Sequence, residues 1–209
     1  MAMRMRRAET VVRNRESVLA AARRVFLAKG YAGATLEAIA EEAGFSKGVM
    51  YSQFESKADL FLSLLERRIE ERARQNERIA AEHSGAEGMR QLIENFSRDA
   101  AAEMGWALVL IEFRALAARD PMINRRYAAA HSRAVDGLAS ILHRLNTQAG
   151  LERALPARAM AEFILGLGSA IVLERAADSS ALPTVLVARM AAGAVGLTCP
   201  PAPSGWISE

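Results

Sequence analysis

The chain has 209 residues, about half of them apolar, with few aromatics, three histidines and a single cysteine. A net charge of only +3 excludes a polycation, and one cysteine excludes an intrachain disulfide. The longest uncharged apolar run, Phe163 to Leu173, falls well short of the ~20 residues that a bilayer span takes. What remains is a chain with room for one large or two small domains and a sizeable core. It is expected in a reducing cytoplasm, with no membrane among its partners.

The charge is unevenly placed. Residues 1–24 hold seven arginines (Arg4, Arg6, Arg7, Arg13, Arg15, Arg23 and Arg24) against Glu9 and Glu16, a local net of +5 that leaves the remainder at −2. Basic charge gathered at one end suits phosphate binding. The N-terminus is rich in arginine but has no apolar core segment, so it does not read as a secretory signal. Residues 1–14 are expected to form a flexible basic arm. Residues 15–29 form a helix with Val18, Leu19, Ala22, Val25 and Phe26 on one face, stopped by Gly30 and followed by Tyr31 turning into the core.

Leu36, Ile39, Ala40 and Ala43 then recur at helical spacing, with Thr35 as N-cap and Gly44 at the end, where a left-handed residue lets the chain turn. Ser46 can cap a second, short helix from Lys47 to Gln53. That helix buries Met50, with Phe54 behind it, and presents Lys47, Gly48, Val49, Tyr51 and Ser52 outward. Ser56 and Asp59 form a capping box that opens a third helix at Lys57. Two helices joined by a tight turn, the second offering small, hydroxyl and cationic groups, suit entry into a DNA major groove.

The run Phe45-Ser46-Lys47-Gly48-Val49-Met50-Tyr51-Ser52-Gln53-Phe54-Glu55-Ser56-Lys57 resembles the helix-turn-helix signature of the TetR family of bacterial regulators. The upstream residues 18–22 with Phe26, Lys29, Gly30 and Tyr31 resemble that family's first helix. The likeness covers roughly residues 15–65. It implies a DNA-binding role for Thr35, Ser46, Lys47, Gly48, Val49, Tyr51, Ser52 and Lys57, with Tyr51 and Lys57 on phosphates. Ser52 and Gln53 depart from the family's more usual aromatic or histidine residues, which bears on base preference.

Beyond the motif the chain reads as helices throughout. The helix from Lys57 is apolar at its start (Leu60, Phe61, Leu64, Leu65, Ile69) and heavily charged through Glu82. His83-Ser84-Gly85 breaks it. Further helices are expected over 87–103, 106–118 and 122–146, with Asp120-Pro121 as stop and start. The last two, about 156–177 and 183–197, are apolar round much of their circumference. A surface helix needs only one apolar stripe. Each of these two is therefore expected to cover a second face with its counterpart in a homodimer, as a four-helix bundle that the family likeness also implies. The alternative is that both lie wholly inside one chain's core. Residues 199–209, with Cys199 and three prolines, read as a flexible tail.

The expected fold is all-α: an N-terminal three-helix helix-turn-helix domain over 15–56, then a larger helical ligand-binding and dimerisation domain over 57–198. Phe96, Met104, Trp106, Leu110, Phe113 and Tyr127 could enclose an apolar pocket there, with Glu112 and His131 as its polar groups. Trp106 and Phe113 also read as plain core, and Glu112 as an exposed or ion-paired carboxylate. Catalytic signatures are missing. His83, His131 and His143 lack metal-ligand spacing, and Gly166-x-Gly168 sits in an apolar helix with no strand before it. No catalytic residue, metal or cofactor is expected. The expected function is a ligand-responsive regulator, a repressor released from a palindromic double-stranded operator by a small-molecule effector. The alternatives are an all-α enzyme or lipid-binding protein, or an architectural DNA binder without a ligand.

Overall fold

The computed structural model describes the backbone of residues 2–150, 155–194 and 196–197, with side chains from residue 14 onward. The expected tail with Cys199 lies outside the described residues, as do the side chains of Arg4, Arg6, Arg7 and Arg13. The described residues form helices and no strand: α1 (Ala2–Gly33), α2 (Leu36–Ala43), α3 (Lys47–Gln53), α4 (Lys57–Glu82), α5 (Gly85–Ala102), α6 (Met104–Ala117), α7 (Pro121–Gln148), α8 (Ala157–Ala177) and α9 (Thr184–Ala194). None is long and apolar enough to cross a membrane.

α1 runs back to Ala2, through the residues expected as a basic arm. The stretch is rich in Ala, Arg and Met, strong helix formers, and carries no glycine or proline to stop propagation.

The helices group into two compact units, one of residues 1–72 with 103–134 and one of 73–102 with 135–209. The start of α4, all of α6 and the first half of α7 belong with the N-terminal helices, because the apolar stripe at the head of α4 packs into their core.

In the first unit the core is built around aromatic rings. Phe61 meets Phe26 and Tyr31 edge-on, both at 5.3 Å, stacks on Trp106 at 5.4 Å and lies 4.4 Å from Phe113. All five rings are buried. Burying each such side chain is worth about 1.5–3 kcal/mol, and each well-oriented ring pair about 0.5–1.5 kcal/mol more. The Tyr31 phenol is pushed up to about 12 by burial, since the phenolate would have to leave water.

The turn near the end of α1 depends on Gly30, which kinks the helix three residues before its end at Gly33. Its φ of 69° and ψ of 173° break the helix as the sequence predicts, and only glycine adopts that conformation without strain. A Cβ there would lie 2.9 Å from a carboxylate oxygen of Glu112. Lys57 closes the turn from the other side. Its Nζ donates to the carbonyls of Tyr31 at 2.7 Å, Ala32 at 3.2 Å and Ala34 at 2.8 Å, and lies 4.6 Å from the Tyr31 ring centroid.

The second unit packs α5 (Met89, Leu92, Ile93), α7 (Val135, Leu138, Ile141, Leu142, Leu145), α8 (Met160, Ala161, Ile164) and α9 (Ala191, Ala192) into one core. Gly168 of α8 lets the Phe96 ring come close, so that a Cβ at 168 would meet it at 2.9 Å, in keeping with a packing role for this glycine. Arg175, buried near the end of α8, donates to the carbonyls of Ala181 and Leu182 and ties the α8–α9 turn. Each of the last two helices buries one apolar face and leaves another uncovered in the single chain. Phe163 is 48% exposed and Met190 57%, with Leu173 and Val185 similar.

Candidate nucleic-acid interface

α2 and α3 are set by local chemistry. The Thr35 hydroxyl accepts from the Ala38 N–H at 3.1 Å, and the Ser46 hydroxyl from the Val49 N–H at 3.4 Å. A capping hydroxyl uses a lone pair, so its own O–H stays available for a phosphate oxygen. Gly44 ends α2 in the left-handed conformation, φ 72° and ψ 27°, and its N–H bonds back to the Ala40 and Glu41 carbonyls. The turn this makes returns half-buried Phe45 to the core. Met50 and Phe54, both almost fully buried, anchor α3 to the aromatic cluster's unit.

The opposite face of α3 is free of the core. Lys47, Gly48, Tyr51 and Ser52 are exposed and Val49 is half-buried. A Cβ on Gly48 would meet only Ser46 Oγ, at an ordinary 3.9 Å, so nothing inside the chain demands glycine there. The Ser52 hydroxyl donates to the Val49 carbonyl at 2.8 Å. That leaves Ser52 as an acceptor toward any base amino group.

One residue of this face had no sequence signal for the part it takes. Glu37, on α2, accepts from the Tyr51 hydroxyl at 3.1 Å and pairs with Lys47 at 3.7 Å. Its carboxyl is held below the usual range, first by its own backbone N–H and next by Tyr51, and the same hydrogen bond pushes the Tyr51 phenol up. Spacing along one helix carries no sign of it, because the contact joins residues 14 apart across the turn. Glu37 thus holds two side chains of the reading face in one arrangement.

Lys57, expected on a phosphate, donates here to three carbonyls around the α1 turn. Burial pulls its ammonium below the usual lysine range, partly offset by the charge of Glu112.

Of the residues expected at the effector site, Phe96 belongs to the second unit and the other seven to the first. Trp106 and Phe113 are core, at 5% and 0% exposure. Glu112 accepts from the Ala32 N–H at 3.2 Å beside Gly30. Met104, Leu110, Tyr127 and His131 are half-buried, the last two stacked at 5.7 Å.

Comparison with known proteins agrees with this geometry. The profile of bacterial regulatory proteins of the tetR family matches residues 18–64. The HTH-type transcriptional repressor AcnR of Corynebacterium diphtheriae is 32% identical over 139 residues, 66% of this chain and 67% of that protein. The HTH-type transcriptional activator FasR of Mycolicibacterium smegmatis is 43% identical over 56 residues, 27% of this chain and 26% of that one. Among solved structures, a transcriptional regulator FadR from Bacillus subtilis in complex with stearoyl-CoA shares the fold. Its TM-score is 0.71 at 20% identity, over 87% of this chain and 97% of that one. Regulators of this kind bind DNA operators and small-molecule effectors and usually dimerise; they are not enzymes. With its helix-turn-helix, its all-helical fold and a relative of this extent, the chain belongs to the TetR family of bacterial transcriptional regulators.

Proposed function

We propose that the protein is a homodimeric cytoplasmic repressor that reads a palindromic operator with α3. In this reading residues 15–56 form the DNA domain and 57–198 the effector and dimerisation domain. The observation that carries it is the division of α3 into a buried anchor, Met50 with Phe54 just beyond, and an exposed face of Lys47, Gly48, Tyr51 and Ser52. Lys47 and Ser52 address base edges, Gly48 lets the backbone close on the groove, and Thr35, Ser46 and Tyr51 give hydroxyls to phosphates. Lys57 supports the face from behind by fixing the turn that α1 and α4 share. A small, mostly apolar effector favours a conformation with the wrong half-site separation, and only such differential affinity shifts the equilibrium. Met104, Leu110, Tyr127 and His131 stay candidates for effector contact because they are only partly covered.

Fluorescence anisotropy on the chain's own upstream DNA, beside scrambled DNA at ~150 mM salt, tests the operator reading. Tight binding to the native fragment alone is expected. Lys47→Ala should weaken it by roughly tenfold or more, and Tyr51→Phe by less, as loss of one hydroxyl. Equal weak binding to both fragments would favour an architectural binder. For the dimer, α8 and α9 carry the uncovered apolar residues. Met190→Glu with Phe163→Glu should give a folded monomer by sedimentation velocity, since an unpaired charge in an apolar interface costs several kcal/mol. Retention of the dimer would move the interface elsewhere.

A further inference from the structure

The first unit holds a cleft of about 200 Å³ between α1, α4 and α6. Its floor is apolar: Leu19, Leu64 and Trp106, each at most 6% exposed. Its rim is cationic, with Arg23 from α1 and Arg67 and Arg68 from α4 against the single carboxylate of Glu71. Two of the three guanidiniums are already answered. Arg67 pairs with Glu71 at 3.0 Å, and Arg68 pairs with Glu103 while its Cζ lies 5.9 Å from the Trp106 ring centroid. Arg23 has no ion-pair partner among the described residues.

The excess charge is felt locally. Arg68 is held below the ordinary arginine range, first by burial and then by the charge of Arg23. The neighbouring Arg72 is pulled down to about 10, first by burial and then by Arg68. Positive groups that crowd one another at the edge of an apolar hollow would gain from one anion placed among them.

We propose that this cleft binds a small aromatic carboxylate, its carboxylate paired with Arg23 beside Arg67 and its ring laid on Leu19, Leu64 and Trp106. The charge matches, because one guanidinium lacks a counter-charge and one carboxylate supplies it, in the planar fork geometry that arginine favours. The size matches as well. The cleft is smaller than the roughly 300–1,000 Å³ that drug-sized ligands occupy, which leaves room for about one ring. A neutral apolar molecule would bury the rim without answering its charge. The site lies in the unit that carries α3, apart from the half-buried residues offered above as effector contacts. Its test involves no DNA, so failure here leaves the operator reading standing.

Benzoate is the probe and benzamide its uncharged counterpart. The chain has two tryptophans, Trp106 and Trp206, so Trp206→Phe leaves Trp106 as sole reporter. In that background, benzoate should change Trp106 emission saturably, with a Kd of about 1 mM or below for so small a ligand. Benzamide should bind at least about tenfold more weakly, and Arg23→Ala should weaken benzoate by a similar factor. Arg23 is exposed, so that variant should fold, as far-UV circular dichroism would verify. Arg158→Ala removes the same charge from an exposed ion pair in the other unit and should leave benzoate binding unchanged. The proposal is overturned by a non-saturable response, by equal binding of benzamide, by an Arg23→Ala protein that binds as well as its parent, or by an equal loss in Arg158→Ala.

Discussion

Phe61→Ala should destabilise the first unit by about 3–5 kcal/mol, the range for removing a large ring from a core that cannot collapse around the hole. The site is among the least forgiving in the chain. The ring, on α4, is fully buried and contacts Phe26 and Tyr31 of α1 and Trp106 and Phe113 of α6 at once. Those neighbours are themselves pinned, so the cavity would stay open. In the Trp206→Phe background the loss should appear in urea denaturation as a lower midpoint followed by Trp106 fluorescence, because the indole stacks directly on the missing ring. Phe61→Leu should recover much of it, since most of the volume returns. A loss below about 1 kcal/mol for Phe61→Ala would mean that the cluster is far looser than the ring distances indicate.

Lys57→Met should cost about 2–4 kcal/mol, given net values of about 1.5–3 kcal/mol for a single charge-assisted hydrogen bond and a partial refund from no longer burying the ammonium. Three carbonyls around the α1 turn lose their donor together. Methionine retains the aliphatic stem, so the loss reports the ammonium and not the packing. Lys57→Arg should not rescue fully, because a planar fork cannot converge on three carbonyls as an ammonium does. Thermal unfolding decides between this role and a direct phosphate contact. A stability loss in the absence of DNA supports the turn clamp. An unchanged melting temperature with weakened operator binding would restore the phosphate contact.

The two positions share a cause. Gly30 breaks α1, the break exposes carbonyls and an N–H that no helix satisfies, and Lys57 and Glu112 supply the missing partners from α4 and α6. A buried or half-buried backbone group without a partner is costly. The turn is tied by Lys57 at two part-buried carbonyls and by Glu112 at the exposed Ala32 N–H. Its shape in turn fixes where Thr35 begins α2, and so bears on the reading face.

What the sequence by itself determined is what is local. Helical spacing placed α1 to α9 to within a few residues, apart from the extension of α1 to Ala2, because apolar residues recur every three to four positions and many of the ends carry Ser, Thr, Gly or Pro. The same locality made α3 legible: Met50 and Phe54 inward, Lys47, Gly48, Tyr51 and Ser52 outward, within one short segment. What only the tertiary structure decided is pairing between distant residues. Lys57 meets carbonyls 23 to 26 residues away, and Glu112 an N–H 80 residues away. Glu37 reaches Tyr51 across the turn, and Phe96 falls in a different unit from Trp106. An exposed carboxylate and one that caps a distant turn look alike in sequence, since spacing records periodicity along one helix and nothing about which helix lies opposite. The cleft lined by Arg23, Arg67, Arg68 and Trp106 exists only once three helices have met.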